Sequence, residues 1–166
     1  PGELPVELQV TAYSGEGGGT SVVLFERLEV APFGWVQIDN VMAKAGFEQG
    51  WVTFERISKE GVFGAYGVVN DNGTNDGSFI QAEADRIGAM ELLLPVLVDT
   101  ATYQTELYFA NRGGMMGRFQ VEFVDSASGK GSATFTVSVP ERSQLILQDA
   151  FAYIRAQLGV EAGGAG

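Results

Sequence analysis

Apolar and polar residues alternate at period two in several short runs of this chain. Val6-Glu7-Leu8-Gln9-Val10-Thr11-Ala12, Phe119-Gln120-Val121-Glu122-Phe123 and Phe135-Thr136-Val137-Ser138-Val139 are the clearest. In an extended backbone successive side chains point to opposite faces, so each run predicts a strand with one face in a core and the other in water. Residues 22–25, 51–57, 62–69 and 103–109 are rich in β-branched and aromatic side chains and predict further strands. Polar and glycine-rich clusters separate the runs: SGEGGG at 14–19, SKEG at 58–61, NDNGTNDG at 70–77, NRGG at 111–114 and DSASGKG at 125–131. These residue types tolerate the backbone angles of tight turns, so the clusters predict hairpins and loops.

Two stretches carry a helical pattern instead. Residues 39–47 (DNVMAKAGF) allow one or two turns. Residues 147–158 (LQDAFAYIRAQL) place Phe151, Ile154, Arg155 and Leu158 at helical spacing, with Asp149 as the N-cap and Gly159 where a helix would end.

The two ends of the chain repeat one order of elements. Val6-Glu7-Leu8-Gln9-Val10 matches Thr105-Glu106-Leu107-Tyr108-Phe109, and Val22-Val23-Leu24-Phe25 matches Val121-Glu122-Phe123-Val124 at the same offset. Pro32 then matches Pro140, and Gln37-Ile38-Asp39-Asn40-Val41 loosely matches Leu147-Gln148-Asp149-Ala150-Phe151. Any two hairpins share some of this likeness. Read as a repeat, it predicts one β-sandwich unit over residues 1–100. Residues 101–166 are then a partial second unit, packed on the first or completed by a neighbouring chain. The sequence opens on Pro1-Gly2 and closes on Gly-Gly-Ala-Gly, ends that read as those of a piece of something longer.

Composition narrows the chemistry. Twenty-one acids against ten bases give a net charge of −11. The bases are scattered, so no basic track could follow a phosphate backbone, and nucleic acid is excluded as an expected partner. No apolar run approaches the ~18–20 residues of a membrane-spanning helix, so no membrane insertion is expected. The chain has no cysteine and no histidine. Disulfides, thiolate ligands, imidazole ligands and the commonest general base are therefore all missing.

What remains for catalysis is thin. A Gly-x-Ser-x-Gly elbow, a Ser-x-x-Lys pair and a phosphate-binding loop are absent, and Gly129-Lys130-Gly131-Ser132 only imitates the end of the last. Glu55, Glu60, Asp71, Asp76, Glu83 and Asp85 supply carboxylates that a glycosidase could pair. With 21 acids in 166 residues such pairs arise by chance, and solvated surface charge is the favoured account of them. No catalytic residue is assigned and no cofactor is expected.

Two ligand sites are candidates. Counted from Asn72, the residues Thr74, Asp76, Gly77 and Glu83 occupy positions 3, 5, 6 and 12 of a calcium loop. Asp71, Asp76 and Glu83 would be its carboxylates. Asn72 stands where the loop wants Asp, and strands rather than helices flank it, so a hairpin loop explains the same letters. The second candidate is aromatic: Trp35, which follows Pro32-Phe33-Gly34 in a predicted turn, and Trp51 could stack on sugar rings, although most of the aromatics are needed for a core.

Several short motifs resemble tandem β-sandwich modules of large secreted and cell-surface bacterial proteins. They are Asp39-Asn40-Val41 and Asp149-Ala150-Phe151 after a Pro turn, a Tyr-x-Val-x-Asn strand at 66–70, a Gly-x-Phe-Ile strand at 77–80, Leu94-Pro95-Val96, and a Thr-Glu-Leu-x-Phe-x-Asn strand at 105–111. The resemblance implies an all-β, antiparallel, Ig-like β-sandwich, here with one short C-terminal helix. It also implies an extracellular, non-catalytic module that associates with copies of itself or with neighbouring domains through edge strands or termini. Residues 1–12 or 160–166 would be the termini to reach a neighbour. A carbohydrate-binding module that uses exposed aromatics is the alternative.

Overall fold

The computed structural model describes residues 2–70, 77–82, 91–94, 97–125 and 128–159. Nine strands and two short helices are defined among them. In chain order they are β1 (Val6–Ser14), β2 (Ser21–Val30), α1 (Val41–Ala45), β3 (Gly50–Arg56), β4 (Tyr66–Asn70), β5 (Gly77–Gln81), β6 (Leu107–Asn111), β7 (Gly117–Val121), β8 (Phe135–Val139), β9 (Ser143–Leu147) and α2 (Ala150–Leu158). The molecule is mostly β, as the period-two patterning predicts. The strands form one three-stranded sheet, ordered β2-β1-β3, and three antiparallel pairs: β4-β5, β6-β9 and β7-β8.

The chain divides into two compact units. The first holds residues 1–12, 21–46 and 52–93; the second holds 13–20, 47–51 and 94–166. In the first unit β1 is the central strand, and Val6, Leu8, Val10 and Ala12 are buried, the last two completely. Burying one such valine contributes roughly 1.5–3 kcal/mol. Glu7 and Gln9, on the alternate parity, meet β2 through Arg27 and Glu26 respectively. The segment expected to reach a neighbour is therefore used inside its own chain over residues 6–12, and residues 160–166 lie outside the described residues.

The second unit has the clearest core. On β6, Leu107 and Phe109 turn inward; on β7, Phe119 and Val121; on β8, Phe135, Val137 and Val139. The Phe109 and Phe119 rings meet at 5.4 Å, so the β6-β9 pair and the β7-β8 pair pack on each other. The chain passes from one pair to the other at Pro140-Glu141-Arg142, where Arg142 takes a positive φ of 44°. Helix α2 closes this core. Ala150, Phe151 and Ile154 are buried, and Phe151 meets the Phe123 ring edge-on at 5.6 Å. The Asp149 side chain accepts from the Ala152 N–H at 2.8 Å, and Gly159 ends the helix in the left-handed region, as expected from the sequence. Arg155 lies over the Phe151 ring and bonds Asp99 at 2.9 Å.

Helix α1 lies inside residues 39–47 and has the one to two turns expected there. Its N-cap, Asn40, is itself left-handed and makes no side-chain cap bond, and the helix buries no residue. Without a cap or an apolar face a helix of this length has little to hold it. Among the described residues no helix is long and apolar enough to cross a membrane.

Candidate functional site

The most unusual surface in the first unit is the β4-β5 ribbon. Its register pairs Tyr66 with Gln81, Gly67 with Ile80, Val68 with Phe79, Val69 with Ser78 and Asn70 with Gly77. Tyr66, Val68, Phe79 and Gln81 share one face, where the Tyr66 and Phe79 rings meet at 5.2 Å. Val69 and Ile80 share the other. A two-stranded ribbon normally hides at least one face, yet here both are wet: Tyr66 is 67% exposed, Phe79 66%, and Val68, Val69 and Ile80 are all more than half exposed. The strand residues include no acid and no base, in a chain of net charge −11. A bare two-stranded ribbon is only marginally stable in water, so this one gains from any added strand or layer.

A second exposed group sits on the turn after β2. Phe33 holds a positive φ of 55°, an uncommon conformation for a bulky residue, secured by its N–H on the Gly2 carbonyl and by the Gly34 N–H on the Ala31 carbonyl. The turn presents Phe33 at 68% exposure and Trp35 at 80%. Two residues on, the Gln37 amide donates to the Asp39 carboxylate, an exposed pair of planar polar groups.

The other sequence candidates fare differently. Trp51 is half-buried at the start of β3 and lies parallel to Tyr13, with ring centroids 5.5 Å apart, so one face of its indole is already occupied. Asp71, Asp76 and Glu83 lie outside the described residues. Among the described residues no group of three or more acids, histidines or cysteines could hold a metal ion. A shallow, open depression of about 270 Å³ is lined by Gly2, Glu3, Leu4, Gly61 and Val62, with Glu3 its single ionisable side chain. Leu92 and Leu93 are also strongly exposed.

Among the described residues the Tyr108 phenol is displaced. Tyr108 on β6 donates its hydroxyl to Glu106, and that bond, with some burial and the nearby negative charge, pushes the phenol up to about 12. A tyrosine held protonated beside a carboxylate is no nucleophile and no base at neutral pH. Comparison with protein-family models, curated proteins and solved structures finds no match.

Sequence reasoning singled out Trp35 but passed over the ribbon as a site. The signal was present. Val68-Val69 and Phe79-Ile80 set apolar residues on both parities, which one buried face cannot satisfy.

Proposed function

We propose that this chain is a non-catalytic structural module of an extracellular or cell-surface assembly, joined to copies of itself or to neighbouring domains through sheet edges. The observation that carries the reading is the β4-β5 ribbon: uncharged, apolar on both faces and exposed on both. Edge strands of this kind recruit further strands, and proteins that avoid association protect them with charge or proline. The ribbon has neither in its strands. An Ig-like β-sandwich is the architecture inferred for the module. Its support is the packing of the β6-β9 pair on the β7-β8 pair through Phe109 and Phe119, with Val137 and Val139 fully buried behind them. Light scattering and negative-stain images of the purified protein test the function. Particles many times heavier than 17.7 kDa are expected, and a monomer at every concentration would overturn the reading.

A second reading rests on the Phe33–Trp35 turn. Two exposed rings beside an amide–carboxylate pair suit a neutral sugar, whose C–H face stacks on an indole while its hydroxyls bond planar polar groups. A glycan panel with the wild type and Trp35→Ala tests it. Binding that falls about tenfold or more in the variant supports glycan recognition. No binding by the wild type removes it.

A further inference from the structure

The exposed turn after β2 is strained, and it is held. A residue as bulky as Phe33 is uncommon at positive φ and keeps its φ of 55° only where the surroundings over-determine it. Two bonds do so. The Gly34 N–H closes the turn on the Ala31 carbonyl at 2.9 Å, and the Phe33 N–H donates to the Gly2 carbonyl at 3.2 Å. Gly2 is itself seated against Val62, so closely that a methyl carbon at position 2 would stand 2.8 Å from the valine Cγ2. Gly2 and Val62 also line the depression of about 270 Å³, together with Glu3, Leu4 and Gly61. The residue that fixes the turn is therefore part of the depression's wall, and the two features adjoin within the first unit.

We propose that the turn and the depression are successive subsites for one linear chain of neutral sugars. The Phe33 and Trp35 rings stack on neighbouring units, and the next unit enters the depression, where the Glu3 carboxylate accepts from its hydroxyls. This rests on the glycan reading and adds to it the length of the ligand and a polar residue that binds it. The depression has the make-up a pyranose needs: Leu4 and Val62 offer exposed apolar surface to the C–H faces, and Glu3 offers the acceptor. At about 270 Å³ it falls just under the range for a drug-sized ligand, so it takes one ring, and the rest of the chain lies out along the turn. Phe33 and Trp35 are two residues apart, at most about 7 Å between Cα atoms, a spacing that serves adjacent units of a chain.

Charge and strain both favour such a ligand. The ionisable groups of this surface are the carboxylates of Glu3 and Asp39, and the Gln37 amide is already bonded to Asp39. Acceptors call for a ligand that brings donors, and a chain of net charge −11 repels acidic polymers. Sugar hydroxyls supply donors without charge. A turn already held in its binding conformation loses little freedom when a ring stacks on it, and that low ordering cost suits a platform so open to water.

Titration with neutral oligosaccharides of one to six rings, in β-1,4-linked glucose, mannose and xylose series, tests the arrangement, followed by NMR at the indole N–H groups. In the series that binds, affinity should rise at least tenfold from one ring to three and then level off. Trp35→Ala should weaken every length. Glu3→Ala should weaken the three-ring chain about tenfold and leave the single sugar unchanged, and Glu3→Gln, which keeps an acceptor oxygen, should recover part of the loss. Glu3 and Trp35 are both exposed, so the variants should keep the wild-type melt. If one ring binds as tightly as six and Glu3→Ala changes nothing while Trp35→Ala abolishes binding, the extended site is wrong and the glycan reading at the turn stands. Tighter binding of a β-1,4-linked glucosamine chain, whose ammonium groups are positive, also overturns the proposal, since the carboxylates would then serve a cation. If the wild type binds none of the chains, both the extended site and the glycan reading fall.

Discussion

β1 and the β4-β5 ribbon are built from the same kinds of residue and lie in opposite surroundings. β1 alternates Val6, Leu8, Val10 and Ala12 with more polar neighbours, stands between two other strands and buries the alternate side chains. In β4 and β5 the apolar residues fall on both parities, among the described residues the strands have only each other, and every described side chain is exposed. The first pattern is solved by one face of core inside the chain. The second asks for cover on two faces and along two edges, more than this hairpin can supply for itself. Apolar content alone states a demand for burial; parity and sheet position show whether the chain meets it.

The largest effect that would break this contrast comes from an acid placed at matched positions. Val10→Asp, with no solvent to hydrate its carboxylate, should cost more than about 4 kcal/mol and abolish a cooperative melt. Val68→Asp should leave the melt of the dilute monomer within about 0.5 kcal/mol of wild type, since in the single chain its side chain already sits in water. Equal losses would mean that the ribbon supports the fold and is not a spare surface. Next in size, Phe79→Lys should weaken self-association at least tenfold while the melting temperature of the dilute monomer stays unchanged, as a charged edge residue does in natural sheets. Sedimentation across a concentration series would read it.

The two helices sharpen the same lesson at smaller scale. Asp149→Ala removes a cap that is made, at a cost of about 1 kcal/mol by thermal melting. Asn40 makes no such bond and sits at φ 50°, so Asn40→Gly should be neutral or stabilising by a few tenths of a kcal/mol. The smallest effect concerns Tyr108. Its phenol is raised to about 12 by the bond to Glu106, so the folded chain holds that proton above pH 10 while the unfolded chain releases it. This contribution is whole below pH 10 and is lost as pH climbs toward 12. Ultraviolet titration should show the high midpoint, and Glu106→Gln should lower it toward 10.

Much of the fold was legible. The alternation in residues 6–12, 119–123 and 135–139 located β1 and parts of the β7-β8 pair, and Asp149 with Gly159 bounded α2 to within a residue. The partners of the strands were not legible. Period two says which way a side chain points but not which strand lies beside it, so nothing in the letters shows β6 bonding β9, or residues 13–20 and 47–51 clustering with 94–166. For the sites, the turn residue Trp35 stood out because Pro32 and Gly34 bracket a break in patterning. Trp51 falls in a predicted strand, but what covers it was not legible, because its partner is Tyr13, far away in sequence.

Asn111 at the end of β6 bears on how this protein would age. Its amide nitrogen lies 2.7 Å from the Met115 carbonyl, 2.9 Å from that of Pro140 and 3.1 Å from that of Val139, while its oxygen accepts from the Gly113 N–H. Slow hydrolysis of that amide to an acid, a common chemical lesion of stored protein, would exchange the shared donor for an oxygen facing three oxygens. The loop at 111–117 and the corner at Pro140 would then come loose together. The shelf life of the second unit is thus tied to one carbon–nitrogen bond in a side chain.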